Sequence, residues 1–202
     1  MRLIAFVSIT AALLGLAGSA AAFPQPSLVR QSWELDVEVQ TPRTIAVRGL
    51  DGKARWYWFM QYKVTNRTDT EQFFVPDITI ATDQGDIITA GRGVRASVFL
   101  SIRKQLGNPL LENPIRMAGR MLIGEDHARE SVAIWPVFES DVDRMKLFVA
   151  GLSGETRMIR HPLDGKEVVL RKTLMMVYHT PGSDTRPQVQ PIRLRRKTWV
   201  MR

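Results

Sequence analysis

Few residues in this 202-residue chain are of a type that does chemistry, and their spacing decides what each group could do. Gly91-Arg92-Gly93-Val94-Arg95-Ala96 has the form of a dinucleotide turn, with Glu112 nineteen residues beyond Gly93 where a ribose-binding acid would stand. Such glycines let the backbone approach a pyrophosphate at a helix N-terminus. The context argues against a nucleotide, because Ile87 and Ile88 open only a short strand and no buried parallel strand precedes Glu112. A strand-to-helix turn is the expectation, with an anion held beside Arg92 and Arg95 as the alternative. Gly151-Leu152-Ser153-Gly154 approaches a nucleophile elbow, but Glu155 replaces the last glycine and residues 156–161 read as strand, whereas an elbow needs a strand-to-helix turn.

Met175, Met176 and His179 are donors of the kind that bind copper. On a strand, Met175 and His179 share a face but stand about 13 Å apart at ~3.3 Å per residue, too far for one ion, and Met176 faces away. Core filling by methionine is the expectation. Glu125, Asp126, His127 and Glu130 form one acidic group, and Glu139, Asp141 and Asp143 another with alternate spacing that suits calcium. An EF-hand is excluded because Arg144 and Ala150 occupy the positions of its glycine and its last glutamate. A looser calcium site between loops stays open. Asn66-Arg67-Thr68 is a formal glycosylation sequon.

The chain has no cysteine, which excludes a disulfide scaffold, a Cys-ligated metal centre and a thiol nucleophile. No catalytic, cofactor-binding or metal-ligating residue is therefore assigned. The net charge is +8, and residues 186–202 hold six Lys or Arg and no carboxylate. With residues 192–201 as a strand, Arg193, Arg195 and Lys197 line one face with Trp199 beside them, while Ile192, Leu194 and Val200 face the core. Such a ridge suits an acidic protein, a polysaccharide or a lipid headgroup. The competing reading is that an edge strand carries positive charge to prevent edge pairing.

The elements that must position these residues follow from periodicity. Residues 1–22, with Arg2, an apolar run and Ala20-Ala21-Ala22, have the pattern of a secretory signal peptide. Export makes nucleic acid an unexpected partner, and cleavage leaves no spanning segment. Residues 23–31 form an extended leader, and residues 32–202 a single domain with a proline-rich loop at 180–191. Trp33, Leu35, Val37 and Val39 alternate with acids, the pattern of a half-buried strand. Residues 55–65 read as a central strand, because Trp56, Trp58, Met60, Tyr62 and Val64 share one face and Tyr57 and Phe59 the other. Strands are expected at 73–81, interrupted by Pro76, at 117–123, 132–138, 145–152, 156–161 and 167–179, with turns at 82–86 and 162–165. Val94, Val98, Ile102 and Leu106 recur every four residues, giving one short amphipathic helix over about 94–106. Eight or more short strands with one helix indicate a mainly β fold, an antiparallel sandwich or barrel, and the sandwich is the expectation.

The run Tyr62, Val64, Asn66, Thr68, Phe73 or Phe74, then Thr82, Asp83 and Gly85, with Gly124-Glu125 ahead of the Val132 to Trp135 strand, resembles exported bacterial immunoglobulin-like β-sandwich domains of unknown function. The resemblance covers residues 55–150. It implies an immunoglobulin-like fold and a cell-envelope setting, and carries no catalytic residue across. The functional expectation is an exported, non-catalytic binding or structural module of the periplasm or envelope. The alternative is a periplasmic copper- or calcium-binding protein.

Overall fold

The computed structural model describes residues 23–137, 142–180 and 192–202. The expected signal peptide, Glu139, Asp141 and residues 181–191 of the proline-rich loop lie outside the described residues. Within them the chain is mainly β, two packed antiparallel sheets with one α-helix. No described helix is long and apolar enough to cross a membrane.

The first sheet is organised by β3 (Ala54–Thr65), the strand with apolar residues on both faces. Along one edge it pairs β8 (Arg129–Pro136). Its other edge is shared by β2 (Arg43–Arg48), opposite residues 54–59, and β1 (Asp36–Val39), opposite residues 62–65. The second sheet is built on β11 (Glu167–His179). On one edge lies β12 (Arg193–Met201); β9 (Arg144–Ala150) and β10 (Thr156–Arg160) share the other. From β9 the sheet continues to β5 (Asp77–Thr82) and β6 (Ile87–Thr89). A separate ribbon pairs β4 (Gln72–Phe74) with β7 (Gly119–Met121).

The two faces of β3 meet different partners. Trp58, Met60, Tyr62 and Val64 join Ile78, Ile80, Leu147, Leu174 and Met176 in the core between the sheets. Tyr57 and Phe59 lie on the opposite side, under α1 (Ala96–Leu106), against its Val98, Phe99 and Ile102. A helix thus covers the outer face of the first sheet, which is why β3 carries aromatics on both sides. Burying each such side chain contributes roughly 1.5–3 kcal/mol, and in a chain without cysteines this packing is what holds the fold.

Several expectations need adjusting. The strand expected at 73–81 is two strands in different sheets, because Pro76 removes a ladder donor between Phe74 and Asp77 and the chain turns there. The strand expected over 117–123 shrinks to β7, preceded by a 3-10 turn at Pro114–Met117 that Asn113 caps through its side chain. β2 has no counterpart among the expected strands. It shows only Ile45 and Val47 as apolar landmarks, and both face the helix. The helix ends at Gly107, whose φ of 62° is the left-handed conformation that a C-cap requires.

Candidate functional site

The C-terminal basic strand is where structure and sequence differ most. β12 is an edge strand, and its register with β11 shifts between Val177 and Tyr178, where Val177 faces Arg196 and Tyr178 faces Leu194. Arg195 is the extra residue of a β-bulge, and a bulge breaks the strict alternation of faces. Directly opposed residues share a face. Lys197 and Trp199 therefore point the same way as the buried Met176 and Leu174, while Arg193 and Arg196 lie opposite His179 and Val177 on the outer face. The single face expected for Arg193, Arg195, Lys197 and Trp199 does not exist. Leu194, expected in the core, is 47% exposed, and Val200 pairs with Thr173 on the outer side.

Trp199 has a structural role instead: its ring stacks against the Lys172 ammonium at 5.1 Å and it packs on the inter-sheet core. Lys172 is buried, 2.7 Å from Glu34 Oε2 and 3.3 Å from Glu155 Oε2. Burial pulls the lysine down, but Glu34 and then Glu155 outweigh it, and its pKa ends above the ordinary lysine value. Glu155 is held below the usual carboxylate range, chiefly by the backbone N–H of Ser27 that donates to Oε1 at 2.8 Å, with Lys172 adding to it. This triad lies just beneath the surface and fastens the leader to the domain. Leu35 N–H donates to the Leu152 carbonyl and Ser153 Oγ to the Trp33 carbonyl. Ser153 thus sits in a strand connection, with its hydroxyl also accepting from the Glu155 N–H.

The outer face of the second sheet presents a different arrangement. β9 pairs β11 so that Arg144 faces His179 and Lys146 faces Val177. Two rungs result: Arg193, His179, Arg144 in one, and Arg196, Val177, Lys146 in the next. With strands ~4.8 Å apart and same-face residues about 7 Å apart along a strand, four cations stand at the corners of a rectangle roughly 10 by 7 Å. All four are exposed, and none forms an ion pair among the described residues. Asp83 donates its backbone N–H to the Arg144 carbonyl without pairing with its guanidinium, and the Asp143 carbonyl contacts His179 Nδ1 at 2.9 Å. One rung further on, Phe148 and Met175 continue the face as apolar surface, and the Arg202 guanidinium lies 4.2 Å from the Phe148 ring centroid. No described element covers these rungs.

Sequence reasoning found Arg193 and missed Arg144, Lys146 and Arg196. Arg196 was hidden by the bulge. Arg144 and Lys146 lie nearly fifty residues earlier, and the signal that marks them is their alternation with Met145 and Leu147, which makes them the solvent face of a strand.

The other candidates resolve into local interactions. Gly91 and Gly93 have φ of 80° and 72°, and the Gly91 N–H donates to the Ile134 carbonyl, which makes this a strand-to-helix turn. Glu112 pairs in bidentate fashion with Arg129 at 2.6 and 2.9 Å. Met176 is fully buried, accepting from the Tyr178 hydroxyl, and Met175 faces outward with His179. Glu125 pairs with Arg67, while Glu130 accepts from Gln61 and Asn108, so that acidic group is divided among different partners. Among the described residues no three or more His, Asp or Glu converge as a metal site would require. Asn66 is fully buried, and its amide donates to the Thr70 and Met121 carbonyls, which leaves the sequon asparagine inside the fold. No protein-family model, curated protein or solved structure matches the chain.

Proposed function

We propose that this protein is an exported, non-catalytic binding module of the cell envelope, and that the rungs of Arg193, Arg196, Arg144 and Lys146 take an anionic partner. The fold class and the signal-peptide pattern support an exported immunoglobulin-like sandwich, and the basic face supplies a surface for an acidic polysaccharide or acidic protein. One observation carries the reading. Positive charge on an edge strand has the alternative purpose of blocking edge pairing, but β9 lies between β11 and β5 and has no free edge. Arg144 and Lys146 therefore protect nothing, yet they are aligned in register with Arg193 and Arg196.

Cations that neutralise a polyanion release counterions, so binding weakens steeply with salt. The purified mature domain is expected to bind dextran sulfate or polyglutamate with an affinity that falls as salt rises. The double variant Arg144→Ser/Lys146→Ser is expected to lose about tenfold or more in affinity and to show a shallower salt slope. Binding that is unchanged in that variant, with folding intact, sinks the reading.

A further inference from the structure

A second feature lies away from the basic face, beside β8 where the turn after β6, whose Gly91 N–H donates to the Ile134 carbonyl, meets the first turn of α1 and the Glu112 segment that bridges Ser131. There a half-open cavity of about 280 Å³ is walled by Ile78, Val94, Phe99, Val132 and Ile134. This is near the lower end of the size of small-ligand pockets, and a well-packed interior leaves few voids larger than a water molecule. The cavity continues past Ala96, Phe99 and Asn113 into a shallower trough between α1 and residues 109–116. Leu100, Leu110 and Ile115, which are 53%, 83% and 86% exposed, surround this opening.

The rim of the same space is cationic. Arg95 lines the cavity, and Arg103 and Arg116 line the trough. None of the three has a carboxylate partner among the described residues. Glu112, the carboxylate that lines the trough, is bound by Arg129. The first turn of α1 has neither an acidic residue nor a side-chain cap, so its field adds to the positive potential at the mouth. Deep in the cavity Tyr62 is neutral, its pKa pushed up to about 12 by burial, so the interior holds no charge.

We propose that this cavity binds a single-chain amphiphile with an anionic head, the chain against Val94, Phe99, Val132 and Ile134 and the head at Arg95. Apolar walls and a cationic rim without internal counter-charge match an apolar tail joined to an anion, and a half-open cavity of about 280 Å³ suits a small molecule better than a peptide.

The test is a titration of the chain with decanoate and with decyltrimethylammonium, which share a tail length and differ in head charge, followed by calorimetry and methyl NMR. Decanoate is expected to bind about tenfold or more tightly than the cation, with shifts concentrated at Val94, Val132 and Ile134. Arg95→Ser is expected to remove most of that preference. Ala96→Trp, a substitution at an exposed helix position that plugs the opening, is expected to weaken both amphiphiles. Equal affinity for the two heads, shifts located elsewhere in the wild-type chain, or displacement of decanoate by an equimolar acidic apolar peptide overturns the proposal, and none of these readouts depends on a variant folding.

Discussion

Two groups of charge in this protein use the same side chains to opposite ends. Lys172 is enclosed by Glu34, Glu155 and the Trp199 ring, and every charge there has a counterpart. Arg144, Lys146, Arg193 and Arg196 stand in open solvent with no counterpart among the described residues. The first group is paired within the fold and ties the leader to the domain. The second carries mutual repulsion that a surface tolerates and an anion relieves. Paired charge indicates architecture, and the aligned unpaired charge is what the proposed anionic partner rests on.

The contrast can be broken by experiment. Lys172→Met leaves two carboxylates facing each other beneath the surface, and the expected loss is roughly 3 kcal/mol, the lower end of the range for breaking a buried pair. Urea unfolding measures it, with dextran sulfate affinity expected to stay unchanged. Gly154→Ala comes next. A Cβ at Gly154 would fall 2.4 Å from Ser32 Oγ and 2.5 Å from Trp33 Nε1, displacing the segment that follows the leader at an expected cost of about 1–3 kcal/mol by the same measurement.

The pH dependence follows from the same group. Glu155 has a folded pKa below its ordinary value, so its contribution is present above the unfolded value of about 4.3 and is lost as pH falls through the folded one. Lys172 has a folded pKa above its ordinary value; its contribution is present below about 10.4 and is lost as pH rises through the folded one. Thermal midpoints should therefore hold a plateau between about pH 5 and 10, with an acid fall that Glu155→Gln makes shallower. The smallest effect on stability belongs to Arg144→Ser/Lys146→Ser, which should change unfolding free energy by no more than about 0.5 kcal/mol while polyanion binding falls. A large destabilisation there would mean that the open charges belong to the architecture after all.

Much of the fold was legible because periodicity records which faces are buried. The two-sided aromatic pattern of β3 marked it as central, and the four-residue spacing after Gly93 marked α1. β2 was not, since a strand with two apolar landmarks gains its identity only from the sheet that receives it. The site was legible in part. A run of Arg and Lys near the C-terminus is visible in one dimension, but a bulge resets the alternation that assigns faces, and no local pattern around Arg195 announces it. The contribution of β9 is a long-range pairing, and Arg144 and Lys146 gain their neighbours only when β11 lies between them and β12. Likewise Lys172 reads as one more surface lysine until Glu34 and Glu155 arrive from distant segments.

The bulge at Arg195 has a further consequence for how copies of the chain treat one another. β12 is nine residues long and, among the described residues, its margin away from β11 pairs with no strand, the geometry on which polymers grow by strand addition. An extra residue in the middle interrupts the repeat that an incoming strand would have to match. Shortening the chain by that single arginine would straighten the margin while leaving Leu194 opposite Tyr178 and Arg193 opposite His179. The expected phenotype is a chain that forms fibres where the parent does not, visible as concentration-dependent light scattering.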